Sequence, residues 1–268
     1  MRLFRTLLSA SLLIALAGAA NGAEPANRAR VLMVVTSADR FPDNQQPTGL
    51  WLSELAHPYY KFTESGITVD IASPKGGEAP IDPRSLPSNP RSPDSGDVLG
   101  RRFLSRSQDV AKLKQTKKLE EIDPSAYTAV VFVGGHGALF DLADNAEVDR
   151  IGRAIYDAGG VIAAICHGPA ALLGIKEADG TPWVQGKTVT GFSKEEEPLT
   201  EGNLGVKLPY YLDEALAKKG ALYVKRAPWS KHVVTSGRII TAQNPNSSDA
   251  FADALLRALA EPAPAQAN

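Results

Sequence analysis

Three stretches of this 268-residue chain are apolar at every position: Val31 to Val35, Ala129 to Val133 and Val161 to Ile165. A strand with one face in water alternates apolar and polar residues, so uninterrupted runs this short fit strands buried on both faces. Helical patterns lie between them. A helix is predicted from Thr48, with Trp51, Leu55, Tyr59 and Phe62 at helical spacing and Pro58 expected to kink or split it. Gly66 closes it, and Ile67–Ala72 reads as the next strand, so the chain opens with a βαβ unit. A charged helix is predicted over Gln108–Glu121, a strand over Tyr127–Val133 and a helix over Glu147–Ala158. Weaker strand signals follow at Lys187–Thr190 and Leu222–Val224. Val233–Thr235 and Ile239–Thr241 flank Ser236-Gly237-Arg238 as a hairpin. Phe251, Leu255, Leu256 and Leu259 mark a last amphipathic helix. This alternation predicts an α/β fold, doubly wound, with a mostly parallel sheet and helices on both faces.

Residues 74–107 break the rhythm, with six prolines between Pro74 and Pro93. So long an irregular stretch reads as a lid, a binding loop, a disordered insertion or a plain surface insertion. Because it is inserted inside the alternation, one domain is expected, over residues 28–260, with the insertion at about 74–121. The start of the chain reads differently: Arg2 and Arg5, an apolar run from Leu7 to Ala17, then small residues up to Ala23. That is the pattern of a secretory signal peptide over residues 1–23. The run falls short of the roughly 20 apolar residues of a spanning helix. The expectation is an exported, periplasmic protein with no membrane segment after cleavage and a disordered tail at 261–268. Loss of Arg2 and Arg5 would take the formal charge from −1 to −3. Near-neutral charge gives no basic footprint for nucleic acid.

Chemistry in such a sheet sits outside the carboxyl ends of the strands. Cys166, the one cysteine, directly follows a buried strand, with His167 beside it and Gly168 at the turn. A lone cysteine is ordinarily inert core filler, but a residue on a sharp strand-to-helix turn is presented at the sheet's edge. The helix that follows is expected to lower the thiol pKa. Val133-Gly134-Gly135-His136-Gly137 is a second such turn, whose backbone N–H groups suit an oxyanion hole. A phosphate loop would look similar but lacks its lysine. Glu54 falls about 60° from Trp51 on the helical wheel, at the border of the apolar stripe. There burial and a nearby sulfur would raise its pKa. His57, His136, His167 and His232 show no ligand spacing such as His-x-x-x-His, so no metal site is expected.

Together Thr48–Tyr59, Gly134–Gly137, Ala163–Ala170, Val189–Phe192 and Ala242–Pro245 resemble the DJ-1/PfpI superfamily and, within it, the Hsp31-like branch that includes glutathione-independent glyoxalases. The resemblance runs from about Arg30 to Leu259. It implies a flavodoxin-like fold, a homodimer, and no metal or organic cofactor. It also implies Cys166 as nucleophile, His167 as its histidine, Glu54 as the acid touching the sulfur, and Glu197 as the triad acid. Glu196 remains an alternative within the run Glu195-Glu196-Glu197. Gly134, Gly135, His136 and Gly168 are the expected oxyanion and substrate-binding positions. The implied substrate is a small 2-oxoaldehyde such as methylglyoxal. Two other readings stay open: a holdase chaperone or redox sensor acting on misfolded proteins, and a cysteine peptidase or amidohydrolase. The proline-rich insertion is expected to border the substrate pocket.

Overall fold

The computed structural model describes residues 29–198 and 205–261; the expected leader at 1–23 and the tail after Glu261 lie outside the described residues. In chain order the strands are β1 (Arg30–Val34), β2 (Thr68–Ser73), β3 (Lys117–Lys118), β4 (Ala129–Phe132), β5 (Val161–Ile165), β6 (Thr188–Val189), β7 (Leu222–Tyr223), β8 (Val233–Ser236) and β9 (Ile239–Ala242). The helices are α1 (Leu52–Glu64), α2 (Val98–Ser105), α3 (Ser107–Lys114), α4 (Ala138–Asp141), α5 (Ala146–Asp157), α6 (Leu212–Lys218) and α7 (Ser248–Ala260). Among the described residues a seven-stranded sheet has the order β3-β2-β1-β4-β5-β9-β8. Every pair in it is parallel except the hairpin β8–β9. β6 and β7 pair with each other in a separate parallel ribbon.

The unalternated runs are two-faced, as their composition requires. Val31 and Met33 pack with α1 and α7 on one side, while Leu32 and Val34 pack with α5 and the 3₁₀ turn Gly168–Leu173 on the other. From β1 the chain winds out through β2 to β3, then returns to β4 and winds the other way. The β1/β4 boundary is therefore the switch point at which ligands bind in open α/β sheets.

Three local expectations change. α1 runs through Pro58 unbroken, its face from Leu52 to Phe62 buried under α2 and α7. The stretch 74–107 is largely ordered: it holds a 3₁₀ turn at Pro83–Ser85 and α2, whose buried Phe103 meets Tyr59 and Tyr60 edge-on. The charged helix ends at Lys114 instead of Glu121. Thr116 leaves it to donate its hydroxyl to the Gly77 carbonyl at 2.7 Å, and Lys117–Lys118 then pairs with the open edge of β2. Edge pairing and burial of Leu119 outweigh the helix propensity of the lysines and glutamates.

Candidate active site

Cys166 stands immediately past the end of β5 with a left-handed backbone, φ +58°. The surroundings hold it there: its N–H donates to the Ala242 carbonyl and its carbonyl accepts from the Phe192 N–H, both at 2.8 Å. A non-glycine residue in this conformation costs about 1–3 kcal/mol and persists only where neighbours over-determine it. Two residues on, a Cβ at Gly168 would lie 2.1 Å from the Phe132 carbonyl oxygen. Glycine there lets the chain turn back over the end of β4. Gly168 thus shapes the turn from behind and does not line the cleft above the sulfur.

The Cys166 Sγ lies 3.3 Å from His167 Nδ1, and His167 Nε2 lies 2.7 Å from Glu197 Oε1. All three side chains are buried. The two nearby histidines hold the Glu197 carboxyl well below the usual carboxylate range in spite of its burial. The glutamate run divides cleanly. Glu195 faces out to Lys225. Glu196 is buried and accepts five hydrogen bonds, from the Ser193 N–H and hydroxyl, the Trp229 N–H and the amides of Gln243 and Asn244. It clamps the loop that carries Trp229, and Glu197 alone of the three meets the histidines.

Glu54 reaches the same sulfur from α1. A Cβ at Gly134 would lie 2.5 Å from Glu54 Oε2 and 2.7 Å from the Cys166 Cβ, so glycine lets carboxyl and cysteine close together. Glu54 is fully buried and neither of its oxygens has a hydrogen bond of ordinary geometry. Burial raises its pKa well above the ordinary value, an effect the adjacent thiol partly offsets. Burial, and then the Glu54 charge, push the Cys166 thiol up as well, against the Gly135 N–H that faces the sulfur. The lowered thiol pKa expected from the following helix is therefore corrected: desolvation outweighs the dipole of a short 3₁₀ turn. Burial and mutual repulsion both oppose the doubly ionised pair, so Glu54 and Cys166 retain a proton between them.

His136 was expected among the substrate-binding groups, and its ring does line the cleft. Both of its nitrogens are engaged elsewhere: Nε2 with Glu197 Oε2 at 3.0 Å, and Nδ1 with an Arg84 Nη at 3.1 Å. His136, His167 and Glu197 present ligating atoms within 4.8 Å of one another, a cluster that sequence spacing could not reveal. Both Nε2 atoms are spent on the carboxylate, so the three form a hydrogen-bonded unit and not an open ligand set. Arg84 carries no signal in the sequence, and neither does Trp229, which faces Phe192 across the cleft with ring centroids 5.8 Å apart.

The cleft over the sulfur is narrow, with only about 10 Å³ of open space, framed by Trp51, Phe192, Trp229 and Pro245. No residue of 74–121 lines it, which corrects the expectation that the insertion borders the pocket. The insertion supports the walls from behind: Asp94 accepts from the Trp51 indole at 2.6 Å, and Arg84 meets His136.

A profile of the DJ-1/PfpI family matches residues 48–258. The chain is 31% identical to glyoxalase 3 of Candida albicans over 241 residues, covering 85% of this chain and 98% of that protein. It is also 31% identical to glutathione-independent glyoxalase HSP31 of Saccharomyces cerevisiae, over 83% and 94% of the two chains. Among solved structures it resembles the rapid encystment protein REP24 of Francisella tularensis, with TM-score 0.79 and 38% identity over 86% of this chain and 99% of that one. Glyoxalase III from Candida albicans superposes with TM-score 0.72 at 30% identity, over 86% and 97% of the two chains. The protein with this site is therefore a member of the DJ-1/PfpI family.

Proposed function

We propose that the protein is a glutathione-independent glyoxalase that converts 2-oxoaldehydes such as methylglyoxal to 2-hydroxy acids, with Cys166 as nucleophile. The observation that carries the reading is a single buried sulfur contacted from one side by His167 and from the other by the Glu54 carboxyl. The relatives named glyoxalases, aligned over most of the chain, support it. Cys166, giving up its proton to His167 Nδ1, adds to the aldehyde carbon to form a hemithioacetal. Glu54 or His167 then moves the proton from that carbon to its neighbour through an enediol, leaving a thioester and a hydroxyl. The Gly135 N–H, which already faces the sulfur, serves the developing oxyanion. Water hydrolyses the thioester, so methylglyoxal and one water become lactate with no net redox change and no glutathione.

The narrow aromatic cleft argues against peptide hydrolysis. Casein digestion by the purified protein would restore that reading, and suppression of aggregation by Cys166→Ala would support a chaperone role. For the main proposal, methylglyoxal loss and lactate appearance are followed with wild type and Cys166→Ala. Turnover should vanish in the variant; equal turnover removes Cys166 from the mechanism. We further propose export after removal of residues 1–23 and a homodimer. N-terminal sequencing of the periplasmic fraction and sedimentation of the mature protein test these two.

A further inference from the structure

We propose that Arg84, carried by the proline-rich insertion, is a positioning residue: it fixes the tautomer of His136 and thereby makes Glu197 a double acceptor that holds His167 ready to take the thiol proton. Arginine has donors only, so the contact at His136 Nδ1, 3.1 Å away, requires a lone pair on that nitrogen. The ring proton of neutral His136 must then be on Nε2, where it donates to Glu197 Oε2. The second carboxylate oxygen is left to accept from His167 Nε2. With its proton held on Nε2, His167 turns a bare Nδ1 toward Cys166 Sγ. One arginine thus orders a relay of four side chains without touching the reacting atoms.

Arg84 is itself firmly placed. Its guanidinium pairs with the fully buried Asp82, which also accepts from the Thr48 hydroxyl at 3.0 Å. Leu50 N–H donates to the Pro80 carbonyl and Asp82 N–H to the Leu50 carbonyl, both at 2.9 Å, which pins the insertion to the segment entering α1. The guanidinium also lies over the Phe41 ring, and Phe41 packs against His136. The charged and titratable groups facing His136 are Arg84, Glu197 and His167. Burial first, then the neighbouring His167 ring and the Arg84 guanidinium, hold His136 down to about 4 despite Glu197. It stays neutral through the working pH range.

The test reads the tautomer directly, by ¹⁵N NMR of imidazole-labelled protein, with His136 assigned among the four histidines through His136→Gln. In wild type at pH 7 the His136 signal should report a proton on Nε2 and a bare Nδ1; an Nδ1-protonated or imidazolium signal overturns the proposal. In Arg84→Met the midpoint at which the freed Nδ1 takes up a proton, followed by titration, should rise by about one unit or more. Arg84→Lys, which keeps a charged donor, should bring the midpoint back to its wild-type value. On the glyoxalase reading, the acid limb of kcat/KM should move up with that midpoint in Arg84→Met, by about tenfold in rate at a pH on the limb. A uniform fall in kcat at every pH, with the His136 midpoint unmoved, would show that Arg84 merely anchors the insertion and would refute the proposal. The NMR result does not depend on turnover, so failure of the glyoxalase reading would leave this inference separately decided. If Arg84→Met does not fold, the wild-type tautomer and the Arg84→Lys spectrum still decide it.

Discussion

Replacing Glu197 with glutamine changes one oxygen to an amide nitrogen and should nearly abolish activity. In the native site both carboxylate oxygens accept an imidazole N–H, at 2.7 Å from His167 and 3.0 Å from His136. Glutamine has one acceptor oxygen and an NH₂ that donates. His136 is held as a donor toward residue 197 by Arg84, so the amide oxygen faces His136 and the NH₂ faces His167. His167 must then accept on Nε2 and carry its proton on Nδ1, where it meets the thiol as a donor. A base in the wrong tautomer lowers kcat by about 10⁴ in triads of this logic, equivalent to about 5 kcal/mol in the barrier. Loss of two charge-assisted hydrogen bonds costs about 1.5–3 kcal/mol each before the amide's own bonds are counted, so the melting temperature should drop by several degrees. The assay is initial-rate conversion of methylglyoxal at pH 7 by wild type, Glu197→Gln and Cys166→Ala, with calorimetry to show that each is folded. A folded Glu197→Gln that keeps more than about a tenth of the rate would refute the argument. It would mean that Glu54 alone manages the proton at the sulfur.

Acid should destabilise the protein in two stages with the same sign. Folded His136 titrates near 4 while its unfolded value is 6.5, so the unfolded chain binds the extra proton first and stability falls as pH drops through that window, by about 3 kcal/mol. Glu197 has its folded pKa depressed, so its contribution is present above the ordinary carboxylate value of 4.5 and is lost as pH falls below it. Denaturant titrations from pH 7 to 3 should show both slopes in wild type, the upper one flattened in His136→Gln and the lower one in Glu197→Gln. Gly168→Ala places a methyl 2.1 Å from the Phe132 carbonyl oxygen. Backbone at the end of a central strand cannot yield cheaply, so a loss of about 1–3 kcal/mol or more is expected, and an unchanged melting temperature would contradict it.

The strand core was legible because buried parallel strands have an unmistakable composition, and β1, β4 and β5 match the predicted runs to within one residue at either end. Cys166 was legible for a related reason: a residue directly after such a run must stand at the carboxyl edge of the sheet. Helix limits in the insertion were not, since Thr116 and Lys117–Lys118 take their conformation from Gly77 and β2, partners about 40 residues away. The same distance hid Arg84. Nothing local marks an arginine in a proline-rich loop as the neighbour of a histidine 52 residues on.

The amino-acid order by itself determined the layered α/β architecture and the edge on which the chemistry lies. Both follow from short-range patterns: apolar runs, glycines at turns, and helical periodicity. The resemblance already pointed to Glu197 and to Glu54 beside the sulfur, but the separate place of Glu196, the joining of His136 to Glu197 and the burial of Glu54 were decided only by the tertiary structure. Adjacent residues differ in which way they point, and that direction is set by the elements that pack around them. The thiol's pKa belongs to the same class: its direction is set by burial and by a carboxylate that arrives from another helix, neither of which the residues around Cys166 disclose.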